Sequence, residues 1–386
     1  MSNRVAVIFG SRSVEHEVSI ITAHQVMRAL EAARYQVVPV YISKEGGWYT
    51  GDALRRLETF KRLDLGTFSR VQIVLDPSAS HLFSTAGKGL FGREQTIDVD
   101  VVFPVLHGTN GEDGTVQGLL ELAGVPYVGC GVLGSAVGMD KVLMKAAFVQ
   151  NDLPVVEYVW FTRQQWQTAP ESVLHRIESS IPYPMFVKPA NLGSSVGISR
   201  ARDRESLEFA LDVASQYDRK VLVERSIEQV REINCAVMGN EDVIPSACEE
   251  PISWEDFLGY EDKYLRGATG KGMKGGQRRV PAEIGEEQTR RIQELAVQAF
   301  KAIDGMGTAR VDLLVDRNSD EVYVNEVNTI PGSLAFHLWQ PVGLSPAQVV
   351  TNLIQLALEA WEEKRRTVYS YDTPILEKAD LSLTQK

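Results

Sequence analysis

At 386 residues the chain is long enough for two or three domains with several hydrophobic cores, which excludes a small module held by disulfides or a structural metal. Its 44% hydrophobic and 24% charged residues are those of an ordinary compact protein rather than a disordered one. A net charge of −11 argues against a nucleic-acid wrapper, yet leaves room for small anions at local lysines and main-chain N–H groups.

In chain order, short β-branched runs alternate with helical patterns through the first third, which predicts βαβ units and a parallel sheet. Residues 5–9 read as the first strand and 17–30 as the helix after it, with Val18, Ile21, Val26 and Leu30 near one face. Residues 35–42 and 101–106 read as further strands, and 115–123 as a helix opening after a Gly-rich turn. The expectation is a Rossmann-like N-terminal substrate domain over 1–131. A helix at 139–151, a strand at 155–161, a polar helical stretch to 181 and strands at 185–188 and 220–224 fill a central lobe, 132–225. The C-terminal lobe, 226–365, carries a strand near 232–238 and a Gly-rich basic loop at 264–279. A long helix at 286–303, two strands and a helix at 346–365 complete it, and 366–386 read as a tail. Cys130, Cys235 and Cys248 are widely spaced without a CxxC pair, so neither a disulfide framework nor a thiolate zinc site is expected. No apolar run approaches the roughly 18–20 residues of a membrane span, and Met1 to Arg4 run into the first strand without an apolar leader pattern; the expected address is cytoplasmic, with no membrane partner.

The most informative stretch runs from Thr308 to Asp316 and again from Glu321 to Asn328, two β-branched runs around the turn-rich Arg317-Asn318-Ser319-Asp320. A turn centred on Ser319 sets Asp312 opposite Glu326 and Arg310 opposite Asn328, all four on one face; a slip of one residue would separate them. Facing carboxylates repel unless a cation sits between them, and an all-oxygen Asp/Glu/Asn set suits Mg²⁺ completed by phosphate oxygens. The competing reading is a solvated hairpin face with Arg310 paired to a carboxylate. Lys188, ending a strand that enters Asn191-Leu192-Gly193-Ser194-Ser195-Val196-Gly197, could place a charge and a Gly/Ser loop over phosphates. A plain turn reads the same way, and no Walker A motif is present. Gly10 to Ser19 leaves the carboxyl end of the first strand, where open α/β sheets bind ligands. Glu15 there could hold a substrate ammonium, although Glu15 and Glu17 are also simply favourable charges at a helix N-terminus.

These segments, with Leu106-His107-Gly108, Gly111-Glu112-Asp113-Gly114-Thr115, Gly138-Met139-Asp140-Lys141 and Arg310 to Gly332, together resemble the D-alanine–D-alanine ligases of the ATP-grasp superfamily. The resemblance runs from Arg4 to about residue 359 and implies an α/β protein, a Rossmann-like N-terminal domain followed by a two-lobed ATP-grasp domain. It implies ligation of two D-alanines through an acyl phosphate, for peptidoglycan precursor synthesis, with ATP and Mg²⁺ as cofactors, two ions expected and Mn²⁺ an alternative metal. Small amino acids and ATP are the implied partners, and a homodimer the implied assembly.

Carried over residue by residue, Glu15 would hold the first ammonium and form a triad with Ser194 and Tyr264, while His107 and Glu112 would shape the same pocket. Lys141, Lys188 and Lys263 would meet phosphates, Glu224 would lie at the adenine segment and Glu232 at the ribose. Asp312, Glu326 and Asn328 resemble metal ligands, and Arg310 with the Gly332 N–H would stabilise the tetrahedral oxyanion. The Gly-rich loop after Tyr264 would close as a lid, because an acyl phosphate must be kept from water. The family usually places a Ser, which contacts the second substrate's carboxylate, where this chain has His337, followed by Leu338. That departure leaves open a carboxylate–amine ligase with a different acceptor; a nucleotide-binding protein without catalysis is the remaining alternative.

Overall fold

The apolar run predicted as the first strand is β1 (Arg4–Gly10), and Val5 through Phe9 are wholly buried because both faces of the strand are covered. The structure, a computed structural model, describes residues 4–79, 82–85, 95–193, 196–252 and 278–375. Helix α1 (His16–Ala32) carries the chain to β2 (Gln36–Ile42), which pairs in parallel with β1. Beyond β2 the sheet departs from the all-parallel expectation. β3 (Trp48–Thr50), β4 (Ser69–Ile73), β5 (Phe83–Thr85) and β6 (Gln95–Ile97) extend it by antiparallel pairing. β7 (Val101–Val105) then pairs in parallel on the free side of β1, which gives the order β6-β5-β4-β3-β2-β1-β7.

Helices α2 (Thr115–Ala123), α3 (Val132–Met139) and α4 (Lys141–Gln150) follow. The helix predicted over 139–151 is α4, which starts after Asp140, whose Oδ1 accepts the N–H groups of Val142 and Leu143 at 3.1 and 3.2 Å; α3 before it has no counterpart among the predicted elements.

A second sheet follows, built from β8 (Tyr158–Thr162), β9 (Met185–Pro189), β10 (Ser199–Ala201) and β11 (Lys220–Arg225). Its order is β10-β9-β11-β8, with every pair antiparallel. Helices α5 (Arg163–Thr168), α6 (Pro170–Ser180) and α7 (Arg204–Tyr217) pack on it around Phe161, Leu174, Val187, Leu211 and Val221.

The third sheet is also antiparallel, in the order β14-β13-β12-β15-β16. It comprises β12 (Val230–Gly239), β13 (Ile244–Pro251), β14 (Arg278–Arg279), β15 (Gly307–Asp316) and β16 (Val322–Asn328). Helix α8 (Glu286–Ala302) covers one face; α9 (Phe336–Trp339) and α10 (Pro346–Lys364) lie toward the other.

The cores are divided unevenly. The middle sheet has a core of its own. The first and third sheets share one, in which Phe9, Met27 and Phe103 meet Met238, Leu334, Trp339 and the α10 residues Val350 and Leu353. No described helix is long and apolar enough to cross a membrane.

Candidate active site

The β15–β16 hairpin sets Arg310 opposite Asn328 and Asp312 opposite Glu326, the predicted pairs reached by a route the sequence did not show. Beyond Asp312 the register shifts, so that Leu313 faces Val324 and Asn325 is left as a bulge. Without the bulge the turn would bring Asn325 opposite Asp312 and swing Glu326 toward the buried face. On the other side of β15, Asn234 pairs with Asp312 and, in turn, with Glu249. Glu249, Asn234, Asp312 and Glu326 thus form one polar row across four strands. Glu232 stands opposite Leu314, two residues from Asn234 on β12, and so shares their face.

Arg310 holds Asp312 with both prongs, Nε to Oδ1 at 2.6 Å and Nη2 to Oδ2 at 2.7 Å, and Asn328 Nδ2 donates to the same Oδ2 at 3.1 Å. Burial opposes the Arg310 charge, but Asp312 beside it, with Glu249 and Glu326 nearby, raises its pKa above the ordinary arginine value. Two carboxylates and an amide on one face are hard oxygen donors. Among the described residues no three His, Cys, Asp or Glu side chains could hold a metal by themselves. An ion at Asp312, Glu326 and Asn328 therefore needs phosphate oxygens and water to fill its shell, the habit of Mg²⁺.

Two lysines approach this row from the middle sheet and α4. Lys141 Nζ lies 3.3 Å from Glu326 Oε2 and donates to Leu192 O at 3.1 Å, which ties α4 to the loop after β9. Lys188 Nζ lies 2.5 Å from Glu224 Oε2, and Lys145 Nζ lies 3.0 Å from Glu224 Oε1. Glu224 is buried, which favours its neutral form, but Lys145 and Lys188 outweigh burial and hold it at about 2. Lys145, wholly buried with its pKa lowered by desolvation, was not singled out in the sequence; its position one helical turn after Lys141 is the signal that could have found it.

His337 Nε2 is 2.7 Å from Glu249 Oε2, Arg278 Nη1 is 3.0 Å from the same ring nitrogen, and Asn234 Nδ2 donates to Glu249 Oε1 at 3.0 Å. Burial would raise the Glu249 carboxyl, but the His337 and Asn234 bonds pull it down to about 2. Glu249 and Arg278 were also missed, because only the sheet brings them to His337. The side chain of Leu338, a residue expected beside the substrate, is fully buried in the shared core, since α9 points it inward with Trp339.

The N-terminal half closes the site from above. Glu15, just before α1, is buried, and its Oε2 sits so near two loops that a Cβ on Gly108 would come within 2.6 Å and one on Gly193 within 2.8 Å. Gly108, with a φ of 73°, is also in a conformation that favours glycine, whereas a side chain at Gly193 would have to displace the Glu15 carboxylate. His107 and Glu112, expected to shape the pocket, are engaged by neighbouring groups of the chain. Glu112 accepts the Gly108 N–H at 2.8 Å and the Ile330 N–H at 2.9 Å, one on each oxygen. Burial, with the charge of Glu15 adding to it, raises its pKa to about 8. His107 bonds the main chain of Ile330, and its Nε2 lies 3.0 Å from Thr22 Oγ1; burial lowers its pKa to about 4. Gly332 follows directly, in a turn whose Ser333, Leu334 and Ala335 all have positive φ of 53°, 45° and 49°. Ser194, Lys263, Tyr264 and most of the expected lid lie outside the described residues.

Residues 4–130 match the family model described as D-ala D-ala ligase N-terminus, and 143–355 the one described as D-ala D-ala ligase C-terminus. The chain belongs to the D-alanine–D-alanine ligase family. A D-alanine–D-alanine ligase of Heliobacterium modesticaldum is 42% identical over 370 residues, 95% of this chain and 97% of the relative. Another, of Geobacillus thermodenitrificans, is 43% identical over 377 residues, covering 96% and 100%. Among solved ligase structures, that of Coxiella burnetii has a TM-score of 0.80 at 29% identity, covering 100% of this chain and 99% of its own. The VanG D-Ala:D-Ser ligase of Enterococcus faecalis has a TM-score of 0.78 at 34% identity, covering 92% and 100%. As a member of this ligase family, the chain uses ATP and a divalent metal.

Proposed function

We propose that the cleft between the polar row, the two lysine groups and the Glu15 corner is where this ligase works. The reaction is ATP-dependent joining of two D-alanines to D-alanyl-D-alanine, a step of peptidoglycan precursor synthesis. The observation that carries the placement is the row Glu249–Asn234–Asp312–Glu326 with Arg310 beside it, facing Lys141 and Lys188.

Glu15 takes the ammonium of the first D-alanine and so aims its carboxylate at the hairpin. Lys141 and Lys188 exchange their present carboxylate partners for phosphate oxygens, and Glu224 and Glu232 line the nucleotide. A divalent ion held by Asp312, Glu326 and Asn328 supplies charge neutralisation at the transferred phosphoryl group. Mg²⁺ fits those donors, with two ions the expected count and Mn²⁺ an alternative. The first carboxylate attacks the terminal phosphorus of ATP and ADP leaves. The deprotonated amine of the second substrate then attacks the acyl phosphate, Arg310 with the Gly332 N–H holds the oxyanion that develops, and its collapse forms the amide and expels inorganic phosphate. Ser194, Lys263 and Tyr264, which lie outside the described residues, are assigned by the family resemblance alone.

The parallel core of the first sheet, β2-β1-β7 around α1, supports a Rossmann-like reading of 1–131. Residues 132–225 and 226–365 are then the two lobes that grasp ATP. A cytoplasmic homodimer remains the expected state.

The test is phosphate release from ATP with D-alanine alone, with L-alanine and with D-alanine plus D-serine, the products identified by mass. Release with D-alanine and a product of two alanines supports the reading; no release from any D-alanine mixture overturns it. A second reading, a different amine acceptor, is favoured by His337, which sits with Arg278 over Glu249 at the position proposed for the acceptor. Under that reading only the mixed incubation yields a dipeptide.

A further inference from the structure

The geometry points to Thr22, His107 and Glu112 as positioning residues that hold the 330–333 turn in place, so that the Gly332 N–H faces the reacting carbon. This rests on the reading of Gly332 as an oxyanion donor. The three side chains come from the N-terminal half, yet each polar contact described for them at this corner reaches the turn or another of the three, apart from the Gly108 N–H on Glu112. Glu112 Oε1 accepts the Ile330 N–H at 2.9 Å, and its Oε2 is fixed by the Gly108 N–H at 2.8 Å. Thr22 Oγ1 accepts the Ser333 N–H at 3.2 Å. His107, between them, bonds the Ile330 main chain and lies 3.0 Å from Thr22 Oγ1 through Nε2.

These contacts form one consistent chain of donors and acceptors. Buried and neutral, His107 carries one ring proton. With Nε2 at Thr22, the Nδ1 proton is left for the Ile330 carbonyl, and Nε2 accepts the Thr22 hydroxyl proton. The Thr22 oxygen is then turned to receive the Ser333 N–H. Of the four positions 330–333, Ile330 and Ser333 give their N–H groups to these side chains, and Pro331 has none. The remaining N–H is that of Gly332.

The turn needs such tethers. Three successive L-residues with positive φ occupy a conformation that side chains resist, and such a run persists only where its surroundings over-determine it. Leu334 and Ala335, buried in the shared core, hold one end, and the three side chains hold the other. Thr22 is 1% exposed and His107 3%, so neither is open to a substrate.

The test compares T22V, which keeps shape but removes the hydroxyl, T22S, which keeps the hydroxyl, E112Q and R310A in the full-length enzyme. Turnover, ATP affinity by calorimetry, and affinity for a phosphinate dipeptide, whose tetrahedral anionic centre mimics the oxyanion, are measured. A turn displaced by a fraction of an ångström should lower kcat by about 10- to 100-fold in T22V and E112Q. Phosphinate affinity should fall in parallel, ATP affinity should stay unchanged, and T22S should stay near wild type. Unchanged kcat and phosphinate affinity in both T22V and E112Q, with R310A impaired, overturn this inference alone. An R310A enzyme that binds phosphinate like wild type overturns the oxyanion reading beneath it. Parallel loss of ATP affinity without rescue by T22S marks a general structural role and also overturns the proposal. Should T22V fail to fold, E112Q and T22S carry the same comparison.

Discussion

The two ends of the cleft are built on different principles. At the proposed nucleotide end, Lys145 and Lys188 pair with Glu224 and Lys141 pairs with Glu326, so ligand phosphates have to replace partners that already exist. At the proposed acyl end the group assigned is the Gly332 N–H, and side chains from a distant part of the chain fix its neighbours Ile330 and Ser333 by hydrogen bonds. Exchangeable ion pairs suit a substrate that must enter, react and leave; a fixed dipole suits an oxyanion that exists only in the transition state. Arg310, bound to Asp312 but turned toward the same corner, stands at the junction of the two.

The largest effect is expected where the ends meet. Replacing Arg310 by alanine should lower kcat by about 10²- to 10³-fold, the loss typical of one oxyanion donor, while ATP affinity changes little. Single-turnover phosphate release with parallel ATP titration checks it, and a near-normal rate would remove Arg310 from the acyl end. The nucleotide end is broken by Lys145→Met, which leaves a buried Glu224 with one partner and should cost about 3 kcal/mol of stability in urea denaturation. Adding Glu224→Gln should recover much of that loss, and failure to do so would show that the pair is not coupled.

The acyl end is sharpened by pH. The His107 pKa falls from 6.5 in the unfolded chain to about 4 in the fold, so only the unfolded state takes up a proton as pH drops through this window. Stability from this group is fully present above about pH 6.5 and is lost progressively toward pH 4, by up to about 3 kcal/mol. Denaturation midpoints across that range should show the slope in wild type and a weaker one in His107→Gln. Equal slopes would place the titration elsewhere.

Much of this site could be read from sequence where the informative residues are neighbours along a strand. Arg310, Asp312, Glu326 and Asn328 declared themselves because period-two alternation puts them on one face, although the register needed the Asn325 bulge to come out as expected. Lys145, Glu249 and Thr22 did not, since each gains its meaning from a partner on another element. Glu112 and His107 were found as residues but not as roles: proximity to a pocket was legible, while the Ile330 and Thr22 contacts that occupy them were not. In the first sheet, strands of three to five residues are too short for periodicity to register, which is why β3 to β6 went unread.

The core shared by the first and third sheets also sets an order of events during synthesis. Helix α1 packs in part against α10, so that part of its surface is not covered until α10, more than three hundred residues later, has left the ribosome. The middle sheet, whose core residues all lie between Phe161 and Val223, can close as soon as it emerges. The chain that is made first is thus completed last, and for most of translation its N-terminal portion presents an unfinished apolar surface that chaperones are suited to shield.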